Sequence, residues 1–151
     1  MVKEGDKALE FELEGSDGKK HTLGEFKGRY VVLYFYPKDN TPGCTIEAKE
    51  FNNRLDEIRS LGAEVVGISK DSLASHGKFR DNYNLRFLLL SDPESNTIKA
   101  YGAYGNRGIF GMGTLRNTYI IGKDGRLIKI FEKVSPKGHA EEVIAFLRSQ
   151  K

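Results

Sequence analysis

The sequence predicts a single mixed α/β domain over residues 1–151, in which helices flank a central mixed β-sheet and an N-terminal β-hairpin leads into it. The length of 151 residues suits one domain, and no repeat or low-complexity linker divides the chain. Segments with strand-like patterns alternate with segments of helical spacing. The last two predicted strands form a hairpin, so the sheet is expected to contain antiparallel as well as parallel pairs.

The N-terminal third begins with a predicted hairpin. Residues 9–23 alternate apolar and polar side chains, break at the turn-forming residues 16–18 and then resume the alternation. Residues 30–36 follow as an unbroken apolar run that ends at Pro37. Because this run is short and rich in aromatic and β-branched residues, it predicts a strand that is buried on both faces.

Helices and strands alternate through the middle of the chain. The predicted elements are, in order, a helix from Ala48 to a stop at Gly62, a strand at 64–69, a helix at 73–83, a strand at 87–90, and a helix from Asp92 to about Tyr101. The C-terminal part is predicted to hold a hairpin of residues 119–121 and 127–131 and a last helix that opens at Ser135-Pro136.

Composition and charge exclude several classes of function. The net charge of +3 is small and spread along the chain, which argues against a nucleic-acid partner. No apolar run approaches the ~20 residues of a membrane span, and the first residues lack the apolar core of a signal peptide, so we expect a cytoplasmic protein without a membrane partner. A single cysteine excludes an internal disulfide and a Cys-rich zinc site. The histidines His21, His76 and His139 show no metal-binding spacing, and His76 is predicted to be packed in the core.

That single cysteine, Cys44, lies between the predicted buried strand and the first predicted helix. Thr41 is a favoured N-cap residue and Pro42 suits the first helical position, which places Cys44 three residues after the cap. Free amide groups and the helix dipole would there favour a thiolate. Gly43 would let a substrate approach the backbone. The alternative is an inert, packed cysteine, so the residues alone give a candidate nucleophile.

Four segments of the chain carry a family resemblance. Pro37, Thr41 and Cys44 match the Pro-x-x-x-Thr-x-x-Cys signature of peroxiredoxins. The longer stretch 33–51 resembles the bacterioferritin comigratory protein branch, also called peroxiredoxin Q. The likeness extends to residues 64–72, 87–94 and 116–127, in the expected order over nearly the whole chain.

This resemblance implies a thioredoxin-like fold and a thiol peroxidase that uses no metal and no organic cofactor. Cys44 would attack hydrogen peroxide or an organic hydroperoxide and become a sulfenic acid. Thr41 would donate a hydrogen bond to the thiolate and the peroxide, and Pro37 would shield the site from water. Arg116 would supply a fixed positive charge that stabilises the thiolate and polarises the O–O bond.

Two further residues match the family pattern around the substrate. The amides of Gly43 and Cys44 would help to hold the peroxide oxygens. Glu47 lies one helical turn from Cys44, where its charge would oppose the thiolate, and is therefore expected to orient Arg116 or the backbone. Without the resemblance, Arg116 would pass for a surface charge, Thr41 for a simple helix cap and Pro37 for the end of a strand.

One position departs from the family pattern. Lys49 occupies the place where many members of this branch carry a resolving cysteine, and the chain has no other cysteine. We therefore expect the sulfenic acid to be reduced by an external thiol, such as thioredoxin, glutaredoxin or a small thiol. The alternative is a peroxide sensor or redox-regulated binding protein on the same fold. Both a monomer and a homodimer are compatible with the sequence.

Residues 101–114 contain five glycines but lack the Gly-Lys-Ser/Thr ending of a phosphate-binding loop. The segment is predicted to be a mobile loop beside the active site. Its Tyr104, Phe110 and Met112 would line either the substrate entrance or a subunit contact.

Overall fold

The computed structural model describes residues 2–150, and its elements follow the predicted order. The strands of this region are β1 (Glu12–Gly15), β2 (Lys20–Thr22), β3 (Tyr30–Phe35), β4 (Ala63–Ser69), β5 (Leu88–Ser91), β6 (Tyr104–Asn106), β7 (Met112–Thr114), β8 (Thr118–Ile121) and β9 (Leu127–Phe131). The α-helices are α1 (Pro42–Asn53), α2 (Leu55–Ser60), α3 (Leu73–Tyr83), α4 (Asn96–Ala100) and α5 (His139–Arg148). None of these helices is long and apolar enough to cross a membrane.

Seven of the strands form one mixed sheet in the order β2-β1-β5-β4-β3-β8-β9. The central strands β3, β4 and β5 are parallel, whereas β8 and β9 on one side and β1 and β2 on the other add antiparallel pairs. The predicted mixed α/β architecture with an N-terminal hairpin is therefore confirmed.

Strand β3 is buried on both faces, as its apolar run predicts. Val32 and Tyr34 point into a core cluster that also holds residues of α1, α2, α3 and α5. Val31 and Leu33 point into a second cluster on the opposite face, which includes residues of α4 and the N-terminal segment. The sheet thus lies between two apolar layers. Helices α1, α2, α3 and α5 pack on one face, and α4 packs on the other.

Two predicted helices begin elsewhere than expected, and one is divided. The first helix begins at Pro42, as the cap residue Thr41 predicts, but it divides into α1 and α2 because Arg54 leaves the helical conformation. The helix predicted from Asp92 begins only at Asn96. The Asp92 carbonyl and carboxylate accept hydrogen bonds from the amides of Ser95 and Ile98, so a turn precedes this helix. The last helix begins at His139, after Gly138 in the left-handed conformation, and not at Ser135-Pro136.

The glycine-rich segment is a small hairpin and not a loop, which corrects the prediction. Strands β6 and β7 pair in antiparallel fashion, with Gly105 opposite Gly113. The Arg107 amide donates to the Gly111 carbonyl at 2.7 Å and closes the turn. Because glycine has no side chain to alternate and is disfavoured in strands, the sequence pattern of this segment does not predict that its backbone is paired.

The sheet topology places the start of β8 beside the end of β3. Tyr34 lies opposite Thr118, and the Phe35 amide donates to the Asn117 carbonyl at 2.8 Å. Arg116, the residue before Asn117, is therefore held close to the loop that joins β3 to α1. The antiparallel pairing of β3 with β8 thus brings Arg116 toward the N-terminus of α1.

Candidate active site

Cys44 occupies the third helical position of α1, as the sequence predicts. Thr41 is the N-cap residue and Pro42 is the first residue of the helix. The first amide that bonds back to the cap is that of Thr45, which donates to the Thr41 carbonyl at 2.9 Å. The amides of Gly43 and Cys44 precede this bond and so belong to the unpaired donors of a helix N-terminus. They add a partial positive charge beside the sulfur.

The sulfur of Cys44 lies against the guanidinium of Arg116. Both Nη1 and Nη2 are 3.6 Å from Sγ. Cys44 is 1% exposed and the Arg116 side chain is 15% exposed, so little water separates or screens the two groups. Burial by itself lowers the pKa of Arg116, but the charges of Cys44 and Glu47 raise it above its usual value. The guanidinium is therefore a permanent cation at the sulfur.

Glu47 holds this guanidinium from the other side. Its Oε1 accepts a hydrogen bond from Arg116 Nη1 at 2.9 Å, so the predicted contact between Glu47 and Arg116 is present. Glu47 is 1% exposed, and its Oε2 has no hydrogen-bond partner among the described residues. Burial raises the pKa of Glu47 to about 7, although the charge and hydrogen bond of Arg116 oppose that rise. A carboxyl of this kind can change its charge near neutral pH.

The raised pKa of Glu47 predicts a pH-dependent stability. Between its ordinary pKa of 4.5 and about 7, the folded chain retains a proton that the unfolded chain has lost. Stability therefore falls as the pH rises through this interval and levels off above it. At about 1.4 kcal/mol per pKa unit, the expected loss is about 3 kcal/mol.

Urea unfolding of the wild type and Glu47→Gln at several pH values between 4 and 8 tests this expectation. Because glutamine cannot titrate, the difference in free energy of unfolding between the two proteins should shift in favour of the variant as the pH rises. Parallel stability curves would contradict the prediction.

Gly43 allows Arg116 to approach the helix. A Cβ atom at this position would lie 3.1 Å from Arg116 Nη2 and 3.3 Å from Pro136 Cγ. Both contacts are tighter than ordinary van der Waals distances, so a side chain would push the guanidinium or α1 aside. The structure thus adds packing against Arg116 to the predicted reasons for a glycine before Cys44.

The hydroxyl of Thr41 makes neither a capping hydrogen bond nor the predicted hydrogen bond to the Cys44 sulfur. Thr41 caps α1 through its backbone conformation, but its side chain forms no capping hydrogen bond. Its Oγ1 donates instead to the carbonyl of Lys38 at 2.7 Å. Because a hydroxyl has one proton, this proton is not available to the Cys44 sulfur in this structure.

A cleft of about 380 Å³ opens beside Arg116. It is lined by two of the predicted site residues together with residues from the hairpin and from the segment after β9, namely Pro37, Asn106, Arg107, Phe110, Leu115, Arg116, Lys133 and Val134. Phe110 is 71% exposed at its rim, whereas Tyr104 and Met112 are exposed outside it. Cys44 does not line the cleft itself, but Arg116, which contacts its sulfur, does.

Lys49 lies five residues after Cys44 and faces the solvent. Its Nζ is 5.7 Å from the centre of the Tyr83 ring, a cation–π contact between α1 and α3. Cys44 is the one free cysteine of the chain, so the described structure contains no thiol that could form an internal disulfide.

Asp39 is a buried residue of the same loop that no sequence pattern singled out. It is 5% exposed, and its carboxylate lies 2.7 Å from His76 Nδ1. His76 is buried as predicted, yet it also makes this polar contact. The two residues are 37 positions apart, and only an aspartate just before the Thr41 cap could have hinted at the pair.

Comparison with known proteins agrees with the geometry. The AhpC/TSA family matches residues 4–130. The chain is 44% identical to peroxiredoxin Bcp of Bacillus subtilis over 147 residues, which cover 95% of this chain and 94% of that protein.

Solved structures show the same fold. A cysteine-to-serine mutant of Xylella fastidiosa PrxQ superposes with a TM-score of 0.95 at 34% identity and covers 99% of this chain and 98% of its own. The bacterioferritin comigratory protein of Xanthomonas campestris, described with alkyl peroxide reduction activity, has a TM-score of 0.89 at 34% identity over 96% of this chain and 99% of its own.

Proposed function

Because this chain belongs to the AhpC/TSA family and has Bcp and PrxQ peroxiredoxins as full-length relatives, we propose that Cys44 is the sulfur through which it reduces peroxides. The chain is a thiol-dependent peroxidase, with a peroxide as oxidant and a thiol as reductant. The observation that supports Cys44 most directly is the pair of Arg116 nitrogens 3.6 Å from its buried Sγ.

In the first half of the reaction, the Cys44 thiolate attacks one oxygen of the peroxide. An S–O bond forms while the O–O bond breaks, and the leaving alkoxide or hydroxide takes up a proton and departs as an alcohol or water. Cys44 is thereby oxidised to a sulfenic acid. Arg116 stabilises the thiolate beforehand and the negative charge that develops on the leaving oxygen.

The neighbouring groups position this chemistry. The amides of Gly43 and Cys44 are open donors for a peroxide oxygen, and Glu47 keeps the guanidinium of Arg116 directed at the sulfur. Pro37 lines the cleft on the approach to Arg116 and excludes water there. The Thr41 hydroxyl can donate a hydrogen bond to the peroxide once it turns away from the Lys38 carbonyl.

In the second half, an external thiol attacks the sulfenic sulfur. A mixed disulfide forms and water leaves, after which a second thiol displaces Cys44 as a thiolate and departs as the oxidised disulfide. The position of Lys49 and the single cysteine support this route. Because Cys44 is 1% exposed, the first turn of α1 has to move before a protein thiol can reach the sulfur.

Organic hydroperoxides are part of the proposed substrate range. The cleft beside Arg116 presents Phe110, Leu115 and Val134 as an apolar wall of suitable size for an alkyl group. The Xanthomonas campestris relative is described with alkyl peroxide reduction activity, which also favours this range. Hydrogen peroxide needs no such wall and should react as well.

Sustained turnover tests the proposal. The protein is mixed with excess peroxide and dithiothreitol, then with thioredoxin and its reductase, or with glutaredoxin and glutathione, and peroxide loss is followed over many equivalents. We expect continuous loss with at least one thiol, and mass spectrometry should detect one added oxygen and then a mixed disulfide on Cys44. A single stoichiometric oxidation would instead indicate a sensor and contradict the proposal.

Replacement of Gly43 by alanine is expected to slow peroxide reduction about tenfold or more. The new methyl group would displace Arg116 from the sulfur, and small displacements of a reacting group have effects of this size. Gly77→Ala is the matched control, because a Cβ at this helical position meets no atom within 4 Å. The control should keep its rate constant and gain up to about 1 kcal/mol of stability. Equal rate constants for Gly43→Ala and the wild type would refute the packing argument.

A further inference from the structure

A buried polar cluster lies under the loop that joins β3 to α1. Asp39 of this loop is 5% exposed, and His76 of α3 is 0% exposed. Neither residue contacts Cys44 or Arg116 through a hydrogen bond. Charged side chains are rarely buried unless they are paired, so this cluster needs an explanation in its own right.

Three side chains converge on the carboxyl group of Asp39. The Tyr36 hydroxyl donates to Oδ1 at 2.6 Å, and the Ser75 hydroxyl donates to Oδ2 at 2.8 Å. His76 Nδ1 lies 2.7 Å from the same Oδ2. These contacts tie the side chain of Asp39 to the residue that follows β3 and to the start of α3.

The ring of His76 faces an acceptor at each nitrogen. Nδ1 faces the Asp39 carboxylate, and Nε2 lies 3.0 Å from the carbonyl of Leu90 in β5. The Leu90 carbonyl can only accept, so Nε2 donates to it, and Nδ1 shares a hydrogen bond with the carboxyl group of Asp39. His76 is therefore held on both sides and forms a fully buried hydrogen-bonded pair with Asp39.

The same cluster does not fit a metal site. Ligand-type atoms of Asp39, Asp71 and His76 lie within 4.8 Å of one another. However, His76 Nδ1 and Asp39 Oδ2 already share a hydrogen bond, and Asp71 Oδ2 accepts hydrogen bonds from the Asp39 amide and the Ser69 hydroxyl. These ligand-type atoms are therefore engaged in hydrogen bonds with one another and with neighbouring residues.

The cluster fixes the loop that carries the reactive residues. Within this loop, residues 36–41, the Asp39 amide donates to Asp71 at 2.9 Å, and the Asp39 carboxyl group is held by Ser75 and His76 at the start of α3. Asn40 follows in the left-handed conformation, which a non-glycine residue adopts at a cost. A strained backbone of this kind persists only where its surroundings hold it.

We propose that His76 is a positioning residue for peroxide reduction, which holds Asp39 and, through the loop that joins β3 to α1, sets the place of the Cys44 sulfur opposite Arg116. The proposal rests on the proposed role of Cys44. The Asp39–His76 pair anchors the loop to α3 and β5, two elements that do not carry the reactive groups. A shift of this loop would move Pro37 and Cys44 relative to Arg116, whose backbone lies next to β8.

The test compares His76→Gln and Tyr36→Phe with the wild type. Glutamine has a single nitrogen and cannot replace the two ring nitrogens that contact Asp39 and Leu90. Tyr36→Phe removes one hydrogen bond to Asp39 and keeps the aromatic ring, so this variant is expected to fold. His21→Gln is the matched control. His21 is also buried and bridges two carboxylates, those of Asp17 and Glu25, but it lies in the N-terminal hairpin and does not touch the loop.

Two rate constants of Cys44 are measured at a temperature where each protein is folded. One is the reaction with peroxide, which depends on Arg116, and the other is alkylation by iodoacetamide, which breaks no O–O bond. We expect the peroxide rate constant of His76→Gln to fall about 10- to 100-fold, and that of Tyr36→Phe to fall less. The ratio of the peroxide to the alkylation rate constant should fall in both variants and stay at the wild-type value in His21→Gln.

A purely structural role for His76 would lower the melting temperature and leave that ratio unchanged in the folded protein, which would overturn the inference. An equal fall of the ratio in His21→Gln would overturn it as well. If the wild type itself did not react with peroxide through Cys44, the proposed function would fail instead, and this outcome is visible before any His76 variant is made.

Discussion

Replacement of Cys44 by serine is expected to abolish peroxide reduction altogether. The serine hydroxyl is not ionised near neutral pH and is a far weaker nucleophile than a thiolate, and no other thiol exists in the chain to replace it. The change is nearly isosteric, so Arg116, Glu47 and the packing of α1 should stay in place. Peroxide consumption with dithiothreitol should fall to the rate of dithiothreitol alone.

Thr45→Ser is the matched control for this variant. It is a small change on the same helical turn, next to Cys44, and it leaves the sulfur and its contacts intact. The control should retain the wild-type rate constant. If Cys44→Ser still consumed peroxide above the background, the reaction would not proceed through Cys44, and the proposed mechanism would be wrong.

The second large effect is expected from Arg116→Met. Methionine has a similar length but no charge, so the thiolate and the leaving oxygen both lose the cation 3.6 Å from Sγ. Loss of one group that stabilises developing charge typically costs about 100- to 1,000-fold in rate. We expect a loss of this size in the second-order rate constant for peroxide, and slower alkylation of Cys44 at neutral pH.

The fold should survive this change because Glu47 can accept a proton. Its pKa is already about 7 beside Arg116, and removal of the cation raises the pKa further, so the carboxyl becomes neutral instead of remaining as a buried, unpaired anion. Circular dichroism checks the fold. Arg116→Lys keeps a charge but cannot present two nitrogens to the sulfur. Its rate constant for peroxide should lie between those of Arg116→Met and the wild type. A rate constant of Arg116→Met within a factor of about three of the wild type would contradict the assigned role.

These two variants probe different parts of one site. In the proposed mechanism, Cys44 supplies the electrons that break the O–O bond, and Arg116 supplies a charge that is already in place when the bond breaks. Glu47 and His76 are proposed to act through other residues. Glu47 contacts the guanidinium of Arg116, and His76 contacts Asp39 in the loop before α1. The reactive sulfur is thus held between two anchored elements, the N-terminus of α1 and the start of β8.

The pattern of the chain predicts the larger elements of the fold well. Strand β3 was recognised because burial on both faces requires an unbroken apolar run, and α3 because its apolar spacing is helical. Elements whose stability comes from the backbone were misjudged. The β6–β7 hairpin is rich in glycine, and α4 is a short helix whose start depends on a turn held by Asp92.

The candidate site divides in the same way. The cap, proline and glycine before Cys44 are local signals, so the position of the sulfur at a helix N-terminus was predictable from neighbouring residues. Arg116 could be selected only through the family resemblance, because it is 72 positions from Cys44 and no local rule connects them. The hydroxyl of Thr41 bonds Lys38, a choice between nearby acceptors that the residue type does not specify.

By itself, the sequence determined the order of the larger strands and helices and the place of the one cysteine at the start of a helix, and its single cysteine supports the proposal that a thiol from another molecule completes the reaction. Only the tertiary structure decided what surrounds that cysteine. The pairing of β8 with β3 brings Arg116 and Glu47 to the sulfur, and the packing of α3 brings His76 to Asp39. The physical reason is that periodicity and capping are properties of neighbouring residues, whereas ion pairs and raised pKa values arise when distant residues are buried together.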